Sequence, residues 1–318
     1  MGANMAKFNA LNSRLNAREV VIIDGGTGTE IPRRKVPLCP DTWSGRANLT
    51  HPDVIRQIHE DYISSGAEVI ITNTFWTSRS GLKRGNLDDK TVEINNISVT
   101  LAKEARENVQ SDKEILIAGS MSTFFPMNDP TIIPSYEEAL GNYREQAQIL
   151  AKAGVDFFAL EMLIRTMDAR AAAQAASETG LPIWVGYSVT ESEDGQIYLG
   201  LRKHGNESIK DGVEAVQDIE GVSAFCIMHS DVKHTKSALK ILRNHTSLPI
   251  GAYAHSIEAS QDTVQQYEHV VERSVKEYVN YARDWLLAGA SIVGGCCGIT
   301  PDHIEALNNG LPSRLSDI

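Results

Sequence analysis

Short apolar runs rich in β-branched residues alternate along this chain with longer segments of helical periodicity. Eight such runs stand out: Val20–Asp24, Glu68–Asn73, Ile115–Gly119, Phe157–Glu161, Ile183–Ser188, Ala224–Met228, Ile250–Ala254 and Ser291–Gly294. Each is nearly continuous in apolar character, as strands of a parallel sheet covered on both faces are. A repeated junction supports the division: a helical segment ends, a glycine follows, and a strand begins within a few residues. It occurs at Gly66, Gly154, Gly180, Gly221 and Gly289, where glycine supplies the left-handed residue that terminates a helix. Helix starts agree: Thr50-His51-Pro52-Asp53 and Ser135-Tyr136-Glu137-Glu138 carry capping signals, and Thr300-Pro301 puts proline at the first helical position. After Pro52, the residues Val54, Ile55, Ile58, Tyr62 and Ile63 form one apolar stripe, which is core packing. Phe8, Leu11 and Leu15 recur at helical spacing, so residues 1–18 are expected to be an N-terminal extension containing a short helix. Strands alternating with helices eight times predict an α/β fold, a single (β/α)8 TIM barrel over residues 1–318, with a doubly wound open sheet as the alternative.

Composition narrows the function classes. The chain has 318 residues, 42% of them hydrophobic, and a formal net charge of −11. That is enough apolar material for a large core, and the acidic balance without a basic run argues against nucleic acid. No run of 18 apolar residues is present, so no membrane span is expected. The polar N-terminus lacks the apolar core of a signal peptide, which points to the cytoplasm and to reduced thiols. Four cysteines in a chain of this size are not a disulfide framework.

The chemistry concentrates at the strand ends. Gly294-Gly295-Cys296-Cys297-Gly298 places two cysteines side by side among three glycines. On a regular strand adjacent side chains point to opposite faces, so the two thiols meet one ligand only if the backbone leaves the strand there. Vicinal thiols freed in this way suit a soft metal, zinc above all; two loop thiols or a redox disulfide are the alternatives. Cys226 lies in an apolar strand and reads equally as a small core residue, and Cys39 lies in a Pro-flanked loop. In a barrel, active residues sit at the C-terminal ends of strands. Asp24, Asn73 and Glu161 close three of the predicted strands, Cys226 lies in the sixth, and Cys296 and Cys297 follow the eighth. The glycines of Asp24-Gly25-Gly26-Thr27-Gly28 do not make a phosphate loop, since no Gly-Lys-Ser/Thr follows; a tight turn with a carboxylate at its base fits better. Among nine histidines, His229 and His255 follow strands six and seven and are candidates for the mouth lining; most of the others read as surface or capping residues.

These residues resemble the homocysteine S-methyltransferase family, over about Val21 to Leu307. The resemblance rests on Asp24-Gly25-Gly26, Trp43-Ser44, Thr72-Asn73-Thr74-Phe75, Ala118-Gly119-Ser120 and Ala159-Leu160-Glu161, then Cys226 and Gly294-Gly295-Cys296-Cys297-Gly298-Ile299-Thr300-Pro301. It implies a barrel that holds zinc through Cys226, Cys296 and Cys297, with the substrate thiol as fourth ligand. It implies that Asp24 and Glu161 hold the amino group of homocysteine, with Gly25 beside them in the substrate site. Three positions depart from the family pattern: Phe225 stands where Asn is usual, Met162 where Thr is, and Tyr253-Ala254-His255 replaces a Pro-Asn or Ala-Asn loop. Phe225 either changes the substrate pocket or, by strand alternation with Cys226, faces away from it.

The expected function is zinc-dependent methyl transfer from an onium donor, S-methylmethionine first and betaine next, to the thiol of homocysteine, giving methionine. Trp43, and secondarily Trp76, offer indole faces for the cationic donor; hydrophobic packing is the alternative for both. A different thiol acceptor, a catalytically silent zinc- or thiol-binding barrel, and a redox protein are the competing readings, the last weakened by the lack of Cys-x-x-Cys. The partners expected are the small thiol and its donor, and self-association into a homo-oligomer is compatible with the sequence.

Overall fold

The computed structural model of the chain describes residues 2–123, 133–193, 195–201, 204–256 and 273–318; His269 and the side chains of residues 2–4, 204 and 205 lie outside that description. The chain opens with α1 (Gly2–Asn16) and β1 (Val21–Ile22), followed by α2 (Thr27–Arg33), α3 (Ala47–Thr50) and α4 (Pro52–Ser64). Then come β2 (Val69–Ile71), α5 (Arg79–Lys83), α6 (Thr91–Asn108), β3 (Leu116–Ser122), α7 (Tyr136–Ala153), β4 (Phe157–Leu163), α8 (Thr166–Ser177) and β5 (Ile183–Tyr187). Three short strands follow, β6 (Val189–Glu191), β7 (Ile197–Leu201) and β8 (His204–Ser208), and then α9 (Ile209–Val216). The chain continues through β9 (Val222–Asp231), α10 (Val232–Arg243), β10 (Ile250–His255), α11 (Val275–Leu287), β11 (Ala290–Val293) and α12 (Pro301–Gly310).

Eight strands form one parallel sheet in the order β1-β11-β10-β9-β5-β4-β3-β2. A parallel bridge between Ile23 and Val69 joins its two ends. Helices intervene between successive strands, so the architecture is the α/β barrel that the eight apolar runs predict; an open sheet would leave β1 and β2 apart. All five junction glycines adopt positive φ, between 76° at Gly180 and 103° at Gly66. Ser135 forms a capping box with Glu138 at the start of α7, and Thr300 forms one with His303 at α12. At α4 the N-cap is His51 and its side chain makes no capping bond, so that start rests on Pro52 and on the acidic Asp53 in the first turn.

Strand alternation divides the core in two. Phe158 and Leu160 of β4 face outward into the layer between strands and helices, whereas Phe157 and Ala159 face the barrel lumen. The same division places Cys226 and Met228 in the lumen cluster and Phe225 in the outer layer, stacked on Tyr187 at 6.4 Å. Phe225 therefore does not line the lumen. The helix α1 packs Phe8, Leu11 and Leu15 against the lumen residues. Phe8 lies 5.1 Å from the Phe157 ring and 6.5 Å from Trp184, residues at the beginnings of β4 and β5. The helix thus stoppers the end of the barrel opposite the cysteines.

The antiparallel sheet β6-β7-β8 was not anticipated. It grows out of the C-terminal end of β5, and its strand β6 and helix α10 lie side by side, with His234 Nδ1 2.8 Å from Glu191 Oε2.

Candidate active site

The backbone leaves the strand at the paired cysteines, as the geometry of adjacent thiols requires. The strand β11 ends at Val293, and the next residues are tied to three neighbours: Gly294 N–H donates to Ala252 O at 3.2 Å, Gly295 N–H to Asp24 O at 3.0 Å, and Cys296 N–H to Ala254 O at 3.0 Å. A tight turn then closes with Ile299 N–H on Cys296 O at 3.1 Å. A Cβ on Gly295 would lie 2.2 Å from the Ile299 side chain, so only glycine fits there. The result is that Cys296 Sγ and Cys297 Sγ stand 3.9 Å apart, both as free thiols.

His229 joins them. Its Nδ1 is 3.3 Å from Cys296 Sγ and 3.6 Å from Cys297 Sγ. Among the described residues, His229, Cys296 and Cys297 form a group of three metal-ligand atoms within 4.8 Å of one another. Cys226 is not in that group. It is fully buried on the lumen face of β9, beside Gly251 of β10, and burial pushes its thiol pKa up, with the charge of Glu161 adding to the effect. The Cys296 thiol is also raised, by its hydrogen bond to Cys297 and by burial.

Two carboxylates face the same mouth. Asp24 follows β1 and is 1% exposed; its Oδ2 accepts from Ile71 N–H at 2.7 Å, while Oδ1 is buried without a partner. Burial holds its carboxyl well above the usual carboxylate range, and the charge of Glu161 raises it further. Glu161 accepts from the Ser120 hydroxyl, and burial raises its pKa to about 7. The Ser120 hydrogen bond, then the charge of His229 and a hydrogen bond from Tyr253, act in the opposite direction on Glu161. An unpaired buried carboxyl oxygen is costly, so Asp24 Oδ1 calls for a hydrogen-bond donor at this mouth. Gly25 lies in the turn after Asp24, where a Cβ would come within 2.5 Å of Ile299 O and 2.8 Å of the Tyr62 ring. That close approach is what lets the Asp24 turn pack on the cysteine turn.

In the sequence Tyr253 stands out only as part of the Tyr253-Ala254-His255 departure from the family pattern, with no role of its own. It is lumen-facing on β10, and the charges of Glu161, Cys226, Cys296 and Asp24 all act on its hydroxyl, whose pKa burial raises most. The legible signal was its alternation with Gly251 on the same strand face.

The aromatic candidates separate. Trp43 is half-buried at φ 51°, and a Cβ on Gly28 would lie 2.6 Å from its Nε1, so the indole sits on the glycine turn after Asp24. Trp76 donates from Nε1 to Thr123 O at 2.6 Å and already carries the Arg84 guanidinium 5.6 Å from its ring centroid. Asn73 is a strut: its Nδ2 donates to Ser44 O at 3.0 Å and to Asn48 Oδ1 at 2.9 Å, which fixes the loop that presents Trp43. Cys39 pairs through its backbone with Trp43 and lies outside the thiol group. His255 packs its ring edge-on to His229 with centroids 5.4 Å apart.

A family model described as homocysteine S-methyltransferase matches residues 21–311. The chain belongs to the homocysteine S-methyltransferase family. It is accordingly a methyltransferase. Among relatives of this family, a selenocysteine methyltransferase of Astragalus bisulcatus is 28% identical, covering 94% of this chain and 95% of that protein. The homocysteine S-methyltransferase of Escherichia coli K12 is 27% identical over 95% of this chain and 99% of its own length. Solved structures of the Escherichia coli homocysteine methyltransferase MmuM agree in fold. The oxidised form has a TM-score of 0.75 at 26% identity, covering 91% of this chain and 95% of that one. The metallated form has a TM-score of 0.74 at 26% identity, covering 92% and 96%. No helix among the described residues of this family member is long and apolar enough to cross a membrane.

Proposed function

We propose that this protein transfers a methyl group from an onium donor, S-methylmethionine first, to the thiol of homocysteine in a zinc-dependent reaction. The observation that carries the reading is the convergence, at one barrel mouth, of the Cys296–Cys297 pair with the buried carboxyls of Asp24 and Glu161. The donor set suits zinc: soft sulfurs and an imidazole nitrogen within 4.8 Å, partly buried, with no oxygen ligand among them. In this reading Cys226, Cys296 and Cys297 hold the metal, Cys226 from the lumen face of β9. Zinc bound there would keep an acceptor thiol deprotonated at neutral pH, the form that attacks carbon.

The chain's own residues supply the rest. Asp24 and Glu161 take the acceptor's ammonium group between them, satisfying the orphan Oδ1 of Asp24 and fixing the direction of the sulfur. Gly25 lets the Asp24 turn pack against Ile299 and Tyr62, which positions that carboxyl. Trp43, beside the same turn, is the residue this reading assigns to the cationic donor through a cation–π contact. The donor leaves neutral, so the transition state carries less charge than the separated thiolate and onium ion.

The test is zinc quantification followed by a donor screen. Purified protein should retain about one zinc per chain with sulfur at ~2.3 Å. Serine at Cys226, Cys296 or Cys297 should abolish tight binding, while Cys39→Ser should not. S-methylmethionine and betaine are then assayed against homocysteine and selenocysteine, the second acceptor because a selenocysteine methyltransferase is among the relatives. Full zinc occupancy in Cys226→Ser, or no methylated product with any pair, would overturn the reading.

A further inference from the structure

We propose that His229 is a metal ligand in the resting enzyme, and that the acceptor's sulfur takes its place. This rests on the metal reading above, which counts the imidazole near the thiols but gives it no role of its own. Three observations meet at His229.

The first is distance. A tetrahedral ion with Zn–S of about 2.3 Å and Zn–N of about 2.0–2.1 Å has edges of about 3.8 Å between sulfurs and about 3.6 Å between sulfur and nitrogen. The three edges here are 3.9 Å between the sulfurs, and 3.3 Å and 3.6 Å from Nδ1 to each. One ring nitrogen thus faces both thiols at the spacing of one face of a coordination tetrahedron.

The second is strand parity. Cys226 and His229 are three residues apart on β9, an odd separation that sends side chains to opposite faces. The register between β9 and β10 slips at this point: Tyr253 pairs with Met228, but His255 pairs with Asp231. Three steps on β9 therefore match two on β10, and the extra residue is a bulge at His229–Ser230. A bulge re-aims the side chain that it carries. It returns His229 to the mouth that Cys226 faces.

The third is backbone strain. His229 is held at φ 45°, a left-handed conformation that a side chain rarely adopts. Strain of this kind persists where the surroundings over-determine it, and it clusters at ligand clamps. The edge-on ring of His255 packs against the imidazole on another side.

With Cys226, Cys296, Cys297 and His229 as the four residues that would hold a zinc ion, an acceptor thiol would take the place of the imidazole, and its proton would pass to the His229 ring nitrogen so released. No oxidant or further reactant is needed.

X-ray absorption at the zinc edge tests this on zinc-loaded protein, with and without homocysteine, for wild type, His229→Ala and His229→Asn. The Asn variant tolerates positive φ and guards against a folding defect. The resting wild type should show the outer-shell multiple scattering of one imidazole. Homocysteine should remove that signal and add one sulfur. Both variants should lack the signal and bind zinc about tenfold more weakly or worse in chelator competition, given the effect of even outer-shell partners. A resting shell without imidazole, imidazole scattering that survives in the variants, or scattering unchanged by homocysteine would overturn the inference. Zinc bound without imidazole in a protein that still methylates homocysteine sinks only this inference. A wild type that retains no zinc sinks the metal reading with it.

Discussion

Glu161 shows how one residue ties the site to pH. Its carboxyl is buried, and its pKa is raised from the usual 4.5 to about 7, chiefly by that burial. The folded protein therefore holds this proton more tightly than the unfolded chain does. The contribution to stability is present below the ordinary carboxylate pKa of about 4.5 and is lost as pH rises through about 7, a swing on the order of 3 kcal/mol. Glu161→Gln cannot ionise, so urea unfolding of the acceptor-free protein should favour the variant over wild type more at pH 8 than at pH 5; the reverse trend would contradict the burial account. In the proposed reading binding runs the other way, because an ammonium group is held by the ionised carboxylate. The kcat/KM for homocysteine should rise between pH 6 and pH 8 in wild type, and that part of the rise should vanish in Glu161→Gln. Phe225 gives a second case at this scale. It replaces a residue usual in the family, and its ring packs outward on Tyr187 rather than into the lumen. Phe225→Asn should cost about 3–5 kcal/mol in chemical denaturation, as loss of a large buried ring does, without improving KM for homocysteine. A tighter KM would mean that the side chain reaches the pocket after all.

The helix α1 and the strands show what was legible in elements. All eight barrel strands stood out as apolar runs because both faces of each are covered, and burial on both faces leaves no polar alternation to confuse the pattern. The glycine junctions stood out because a left-handed residue has few substitutes. The sheet of β6, β7 and β8 was not read, although Asp194-Gly195 between Glu191 and Ile197 is a hairpin signal; strands of three to five residues give too little periodicity to register. His229 was seen as a mouth candidate, but its partnership with the cysteines was hidden, because a bulge depends on the neighbouring strand and leaves no mark in local spacing. The same holds at β4, where Leu160 pairs with Val185 but Leu163 with Tyr187, a bulge at Glu161–Met162 with Met162 at φ 52°. The helix α1 carries its own expectation. Phe8 is 2% exposed against Phe157 and Trp184, at the end of the barrel away from the thiols. Phe8→Ala should lower stability by about 3–5 kcal/mol and leave the KM of both substrates unchanged at a temperature where the variant is folded. A raised KM would show that the stopper shapes the pocket.

At the scale of the whole molecule, the barrel brings together residues separated by more than 270 positions in the sequence: Asp24 from the first strand, Glu161 from the fourth, and Cys296 and Cys297 from the turn after the last. Gly295 N–H on Asp24 O at 3.0 Å and Gly298 N–H on Thr29 Oγ1 at 3.0 Å bind the two ends of the barrel to each other at the mouth. Closure of the sheet is thus also assembly of the site, and local unfolding at either end separates the carboxylate of Asp24 from the thiols. The central claim is that this mouth methylates a thiol with a metal's help. It is tested most directly by mass spectrometry of the product formed from carbon-labelled homocysteine and S-methylmethionine, using protein loaded with zinc, stripped of it by chelation, and reloaded. The expected result is labelled methionine from the loaded protein, its loss on stripping and its return on reloading. Labelled methionine formed equally well by the stripped protein, or none from the fully loaded one, would contradict the account.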